Sequence, residues 1–338
     1  MYDGVRDIST LFYSHMIKYQ VLDKLISTAY QGSEATEVNL FIDLYPIIKS
    51  LYKHSTEYII NSKHEFVAGI LSMISHYRSF FKSIDVYPRI YFIHSVNCPE
   101  LNRKLVSGYN KSMELAVTRG VTELPADLRI NNYLDDVTNF IMQFFKFVPN
   151  TNYYIPTTFE SGVIINRIIH EDPDTNKCPN IIISRDLYLM QLVANDVNTV
   201  MLKPVKYKGE DKSVFISSKD PIQFWNMFCS FRKIKPFEFI LPCTSINTIN
   251  SVCRVPERGL TGFGHISTIG KQISQNKFKE EDIYQNRRKV IDLDFQLSVY
   301  NQSAERYMFD EFMAKIYDPE RFKKYLTDQK INIDPMYI

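Results

Sequence analysis

Three consecutive isoleucines, Ile181-Ile182-Ile183, run without alternation into Ser184-Arg185-Asp186 and then a helical pattern through Leu187, Leu189, Met190 and Leu192. A strand with one face in water alternates apolar and polar residues. One that is apolar throughout is covered on both faces, as a central parallel strand is. The polar break falls at its carboxyl end. Open α/β sheets gather their chemistry there, because the crossing connections diverge and helix amino-termini point at the crevice. That places Asp186 at the working edge of a sheet.

Similar runs precede it. Val38-Asn39-Leu40-Phe41-Ile42-Asp43-Leu44-Tyr45 carries a lone carboxylate, Asp43, at its end, and Pro46 follows where a helix can open without needing its N–H. An acid in that position can ligate a metal or cap the helix. Residues 64–83 form an amphipathic helix through Phe66, Val67, Ile70, Leu71, Ile74, Tyr77, Phe80 and Phe81, and a second strand follows, Arg89 to His94. A connection of this length between strands predicts a right-handed crossover and a parallel pair. His94 then stands at the strand end as Asp43 does, as a ligand or as a hydrogen-bonded structural histidine. Helical spacing recurs over 133–147. Tyr153-Tyr154-Ile155 reads as a third strand and Phe159 to Ile169 as a helix, while the sheet continues through residues 200–202 and 214–216. The expectation is a sheet with strands near 38–43, 89–94, 152–155 and 180–184, with Asp43, His94 and Asp186 converging at one edge.

Residues 1–37 show Leu11, Met16, Val21, Leu22, Leu25 and Ile26 at helical spacing, which predicts one or two helices packed across the sheet or onto a partner. Beyond residue 219 the character changes. A helix through Trp225, Phe228 and Phe231 leads into the basic Arg232-Lys233-Ile234-Lys235, and Gly259, Gly262 and Gly264 crowd a turn before a helix at Ile269 and Ile273. Such a turn can be a helix-hairpin-helix that holds a phosphate on backbone amides, or a plain tight turn. The fold class that results is α/β: a mostly parallel central sheet between helices over 38–218, a helical extension over 1–37, and a helical region with a helix-hairpin-helix-like turn over 219–338.

The 338 residues are 45% hydrophobic, enough for a large core without cross-links. The five cysteines (Cys98, Cys178, Cys229, Cys243, Cys253) form no C-x-x-C pair and stand at no zinc-site spacing, so a reducing, intracellular setting is expected. Charged or amide residues interrupt every apolar segment, and neither a signal peptide nor a membrane span is read. A net charge of +2 does not announce a nucleic-acid partner, so any basic surface must be local.

The order of these strings resembles the flap-endonuclease or 5′-nuclease family, in particular its bacteriophage ribonuclease H type. Phe41-Ile42-Asp43 matches the family's first strand. Its second strand and the arch base match Tyr91-Phe92-Ile93-His94, then Arg103, Lys104 and Tyr109-Asn110-Lys111. The Glu-Ala-Asp-Asp motif falls on Glu160-Ser161-Gly162-Val163, and the Ser-x-Asp-x-Asp-x-x-Gln-Leu motif on Ser184 to Leu192. The Gly-Asp-x-x-Asp-Asn motif falls on Pro242 to Asn247, and the glycine hairpin on Gly259 to Gly264. Asn286 to Asp294 is similar to a stretch of the phage members. By motif order the match spans about residues 38 to 295.

The resemblance implies a PIN-like fold and two divalent ions held by a cluster of acids. Asp43, Glu160 and Asp186 are kept. His94, Gly162, Val163, Tyr188, Cys243 and Ile246 stand where other acids belong. Carbon side chains cannot ligate Mg²⁺, so at most one weakly held Mg²⁺ or Mn²⁺ on Asp43, Glu160 and Asp186 is expected. Two functions follow. One is a non-catalytic, phage-encoded descendant with a DNA-binding or structural assembly role among viral proteins. The other is an active, divergent nuclease acting on flaps, nicks or RNA–DNA hybrids. The resemblance assigns Arg103, Lys104 and Lys111 to nucleic-acid contact. Arg258, Gly262, Gly264, Lys271 and Lys277, in or near the glycine turn, are the candidate contacts to duplex or flapped DNA there.

Overall fold

The computed structural model describes residues 12, 15–29, 35–44, 47, 63–93, 101, 104, 148, 151–154, 156, 158–171, 178–185, 189, 192–193, 198–204, 206–207, 210–211, 213–217, 289, 293–304 and 318–328. In chain order the elements are α1 (Tyr19–Ala29), β1 (Glu37–Asp43), α2 (Lys63–Lys82), β2 (Tyr87–Ile93), β3 (Thr151–Tyr154), α3 (Ser161–Glu171), β4 (Asn180–Ile183), β5 (Thr199–Lys203), β6 (Lys206–Tyr207), β7 (Glu210–Asp211), β8 (Val214–Ser217), α4 (Leu293–Tyr300) and α5 (Pro319–Asp328).

Six strands form one sheet in the order β3-β2-β1-β4-β5-β8, and β6 pairs with β7 in a separate hairpin. β1 pairs in parallel with both β2 and β4, β2 with β3, and β4 with β5; β8 alone runs antiparallel, against β5. The expected mixed, mostly parallel sheet is therefore present. Its strand bounds differ from the expected ones by a residue or two. β2 starts at Tyr87, two residues before the sequence pattern begins, because the Tyr87 N–H donates to the Thr36 carbonyl at 2.8 Å. Pro88 is tolerated there since pairing with β3 begins only at Ile90, where β2 ceases to be an edge.

Both faces are covered, as an unbroken apolar run requires. Val38, Leu40 and Ile42 of β1 share one core with Ile90, Phe92, Ile181, Ile183, Val200 and Leu202, beneath the apolar side of α2. On the opposite face Phe41 stacks on Tyr91 with centroids 4.9 Å apart, beside the buried Ile182 and Met201. Helix α2 ends in a Schellman-type turn. The Val86 N–H reaches back to the Phe81 carbonyl and the Asp85 N–H to that of Lys82, with Asp85 at a φ of 55°.

The terminal segments join the α2 side of this core. Phe12, Ile17, Leu22 and Leu25 contribute from the amino-terminal side, and Phe322 and Leu326 from α5. His76 of α2 fastens the first of them: its Nε2 is 2.8 Å from the Ile17 carbonyl, and the Tyr19 ring packs at a tilt against the His76 and Phe80 rings. Partial burial holds the His76 pKa below its usual 6.5, against a smaller opposing effect of the Ile17 bond. A histidine whose folded pKa is depressed binds more protons when unfolded. Its contribution to stability is full above about pH 6.5 and is lost as pH falls below that value. Replacing His76 with Gln, which keeps a donor, is expected to narrow the loss of thermal stability between pH 7 and pH 5. Equal pH dependence of parent and variant would refute the assignment. No helix among the described residues is long and apolar enough to cross a membrane.

Candidate functional site

From β1 the chain moves outward through β2 to β3, then returns to lay β4 on the other flank of β1. The direction of strand order thus reverses between β1 and β4. In an open α/β sheet, such a topological switch point leaves a crevice at the carboxyl ends of the two strands, because the connections leave on opposite sides. Asp43 is the last residue of β1 and Ser184 directly follows β4. The Ser184 hydroxyl donates to Asp43 Oδ2 at 2.6 Å. Ser184 is buried and Asp43 half-buried. Beside them, the Leu44 N–H reaches the carbonyl of Ile93, the last residue of β2. The strand ends that carry Asp43, His94 and Asp186 in sequence therefore lie together, while His94 and Asp186 themselves fall outside the described residues.

Glu160 stands half-buried immediately before α3, and its carbonyl accepts the Val163 N–H at 3.0 Å in the first turn. Helix α3 begins at Ser161 and not at Phe159 because Phe159 is turned into a buried contact, edge-on to Tyr300 of α4 with centroids 5.2 Å apart. Arg167 of α3 donates to the Tyr300 hydroxyl at 3.3 Å and lies over its ring. The Leu101 N–H donates to the Thr158 carbonyl, which ties the segment following β2 to the entrance of α3.

Gly162 and Val163 are buried in that first turn and carry no oxygen donor. Among the described residues no group of three His, Cys, Asp or Glu side chains is arranged to hold a metal ion. One oxygen of Asp43 already accepts a hydroxyl hydrogen. Of the carboxylates expected at a metal centre, Asp43 and Glu160 are described; a two-ion centre needs a surplus of carboxylate oxygens to offset the cations.

The carboxyl edge of the sheet also carries cations, Arg185, exposed next to Ser184, and Lys203, which ends β5 half-buried; Lys104, on the segment after β2, is exposed. Of the expected nucleic-acid contacts only Lys104 is described. Arg103, Lys111, Arg258, Gly262, Gly264, Lys271 and Lys277 lie outside the described residues, as do Tyr188, Cys243 and Ile246. Sequence reasoning passed over Ser184 and Arg185 as site residues. Their signal was present in the polar break after Ile183, but only the strand register reveals that Ser184 faces Asp43.

No protein-family model matches the chain, and no curated protein does. Among solved structures it is similar to a T5 protein co-crystallised with metal ions, at 14% identity over 81% of this chain and 96% of that one, with a TM-score of 0.48. A second is bacteriophage T5 flap endonuclease in a pseudo-enzyme–product complex with DNA and metal ions, at 15% identity over 80% and 97%, with a TM-score of 0.42. A third is T5 5′-exonuclease with bound divalent metal ions (zinc), at 16% identity over 86% and 98%, with a TM-score of 0.36.

Proposed function

We propose that this chain is a degenerate 5′-nuclease-like protein, phage-encoded, that binds duplex or flapped DNA without base specificity and does not cleave it, and that it serves as a DNA-binding or structural subunit among viral proteins. The observation that carries this reading is the switch point. There Asp43 is engaged by a serine hydroxyl and Arg185 and Lys203 lie along the same edge, while the first turn of α3 carries Gly162 and Val163 where the resemblance leads one to expect acids. Cations at a crevice without a full set of metal ligands suit phosphate contact better than phosphodiester hydrolysis. The turn expected from the sequence at Gly262 and Gly264, with Arg258, Lys271 and Lys277, would add backbone amides and charge for the same purpose.

Binding of a short duplex is expected to weaken with salt at a log–log slope of about −0.9 per phosphate neutralised. Arg185→Ala and Gly262→Val are each expected to lower affinity, the arginine variant with a slope smaller by about one. Absence of binding at low salt would defeat the DNA part of the reading. Metal-dependent cleavage of a 5′-flapped duplex, lost in Asp186→Ala, would replace it with an active nuclease.

A further inference from the structure

Helix α3 is buried around most of its circumference. Val163, Ile164, Ile165, Ile168 and Ile169 are inside, and Asn166, only 1% exposed, stands in their midst. Asparagine is a poor choice for a helix interior, because its amide competes for backbone groups in other conformations. Burial adds the cost of stripping two donor hydrogens and a carbonyl oxygen of their water. Other buried polar side chains meet that cost within the protein: Asn39 donates to Asn180, Ser184 to Asp43 and Gln296 to the Lys289 carbonyl, and Thr151 accepts from Arg78. For Asn166, neither Nδ2 nor Oδ1 has a hydrogen-bond partner among the described residues.

Helix geometry gives the direction of the amide. A helical side chain lies over the residue four positions earlier and leans toward the amino end. Four positions before Asn166 is Gly162, in the first turn of α3, which brings no side chain to that place. The occupant must accept from Nδ2 and donate to Oδ1. It must also be small, since the asparagine is closed to solvent. Water meets all three demands. An anion would serve Nδ2 alone and a cation Oδ1 alone, and the isoleucines on either side of Asn166 offer neither of them a counter-charge. We propose that Asn166 holds an internal water over Gly162, and that this water completes the hydrogen bonding of the buried amide. The site is independent of whether the chain cleaves DNA.

A high-resolution crystal structure of the full chain is expected to show ordered water density about 2.7–3.2 Å from both Oδ1 and Nδ2 of Asn166. Asn166→Leu, similar in size and without a polar atom, is expected to lack it. Thermal unfolding reads the same site independently. Alanine at position 162 puts a methyl where the water sits and leaves the amide unpaired, so Gly162→Ala is expected to melt roughly 2 °C below the parent. On the Asn166→Leu background there is no water to expel. There the same methyl is expected to leave the melting temperature unchanged or raise it, because alanine is the better helix former. If Asn166→Leu does not fold, Asn166→Ala removes the amide and supplies the background. The proposal is overturned if the parent shows no water on Asn166, if a protein group takes both amide atoms, or if Gly162→Ala shifts both backgrounds alike.

Discussion

Gly69→Ala is expected to destabilise the protein by about 1–2 kcal/mol, although the same change in an ordinary helix interior stabilises by roughly 1 kcal/mol. A Cβ on Gly69 of α2 would fall 2.5 Å from Phe12 Cε2 and 2.6 Å from Phe12 Cγ, and nearer still to Cδ2. Phe12 has no room to yield. It is fully buried, edge-on to Phe66 with centroids 5.4 Å apart, in the core that also receives Leu22 and Leu25. The new methyl must therefore expel the ring or bend α2, and overpacking of this kind outweighs the propensity gain. A double-mutant cycle makes the argument exact in sign. Phe12→Ala alone should cost about 3–5 kcal/mol through the cavity it leaves, and on that background Gly69→Ala should become favourable. Chemical denaturation of the four proteins measures this. If Gly69→Ala stabilises the parent chain, Phe12 is not seated over α2.

Tyr300→Ala is expected to cost about 3–5 kcal/mol, and Tyr300→Phe no more than about 1 kcal/mol. The ring is fully buried, packs edge-on against Phe159 and lies under the Arg167 guanidinium, so the alanine variant forfeits aromatic burial from both sides. Phenylalanine keeps the ring and loses the bond from Arg167, which is half-buried and can turn to water. Because Phe159 immediately precedes Glu160, the alanine change should also raise amide exchange at residues 159–163, at the entrance of α3. Equal losses for Phe and Ala would mean that the hydroxyl, and not the packing, joins α4 to α3.

These two sites show where sequence ran short. Phe12 and Gly69 are 57 residues apart by number, and neither belongs to a motif. Nothing in a one-dimensional pattern says that a glycine in a helix is there because a distant ring lies on it. Tyr300 likewise reads as one tyrosine among 22. Its importance comes from the packing of α4 on α3, which depends on tertiary approach and not on spacing.

What the sequence determined by itself was the sheet's membership and the location of its working edge. The runs Leu40 to Ile42, Ile90 to Ile93 and Ile181 to Ile183 in β1, β2 and β4 are apolar on both sides of the pleat, and such a run is stable only in the middle of a covered sheet, so strand identity follows from local composition. Each run's polar break marks a carboxyl end, which puts Asp43 at the edge. Local pattern does not contain the order of strands. Pairing β4 to β1 on the side away from β2 is what creates the switch point and sets Ser184 against Asp43. Tertiary packing also decided that the amino-terminal segment and α5 share the α2 core. Hydrophobic burial is non-directional and tells a residue only to be inside. Which strand it lies beside is decided by register, hydrogen bonding and close packing among residues far apart in the chain.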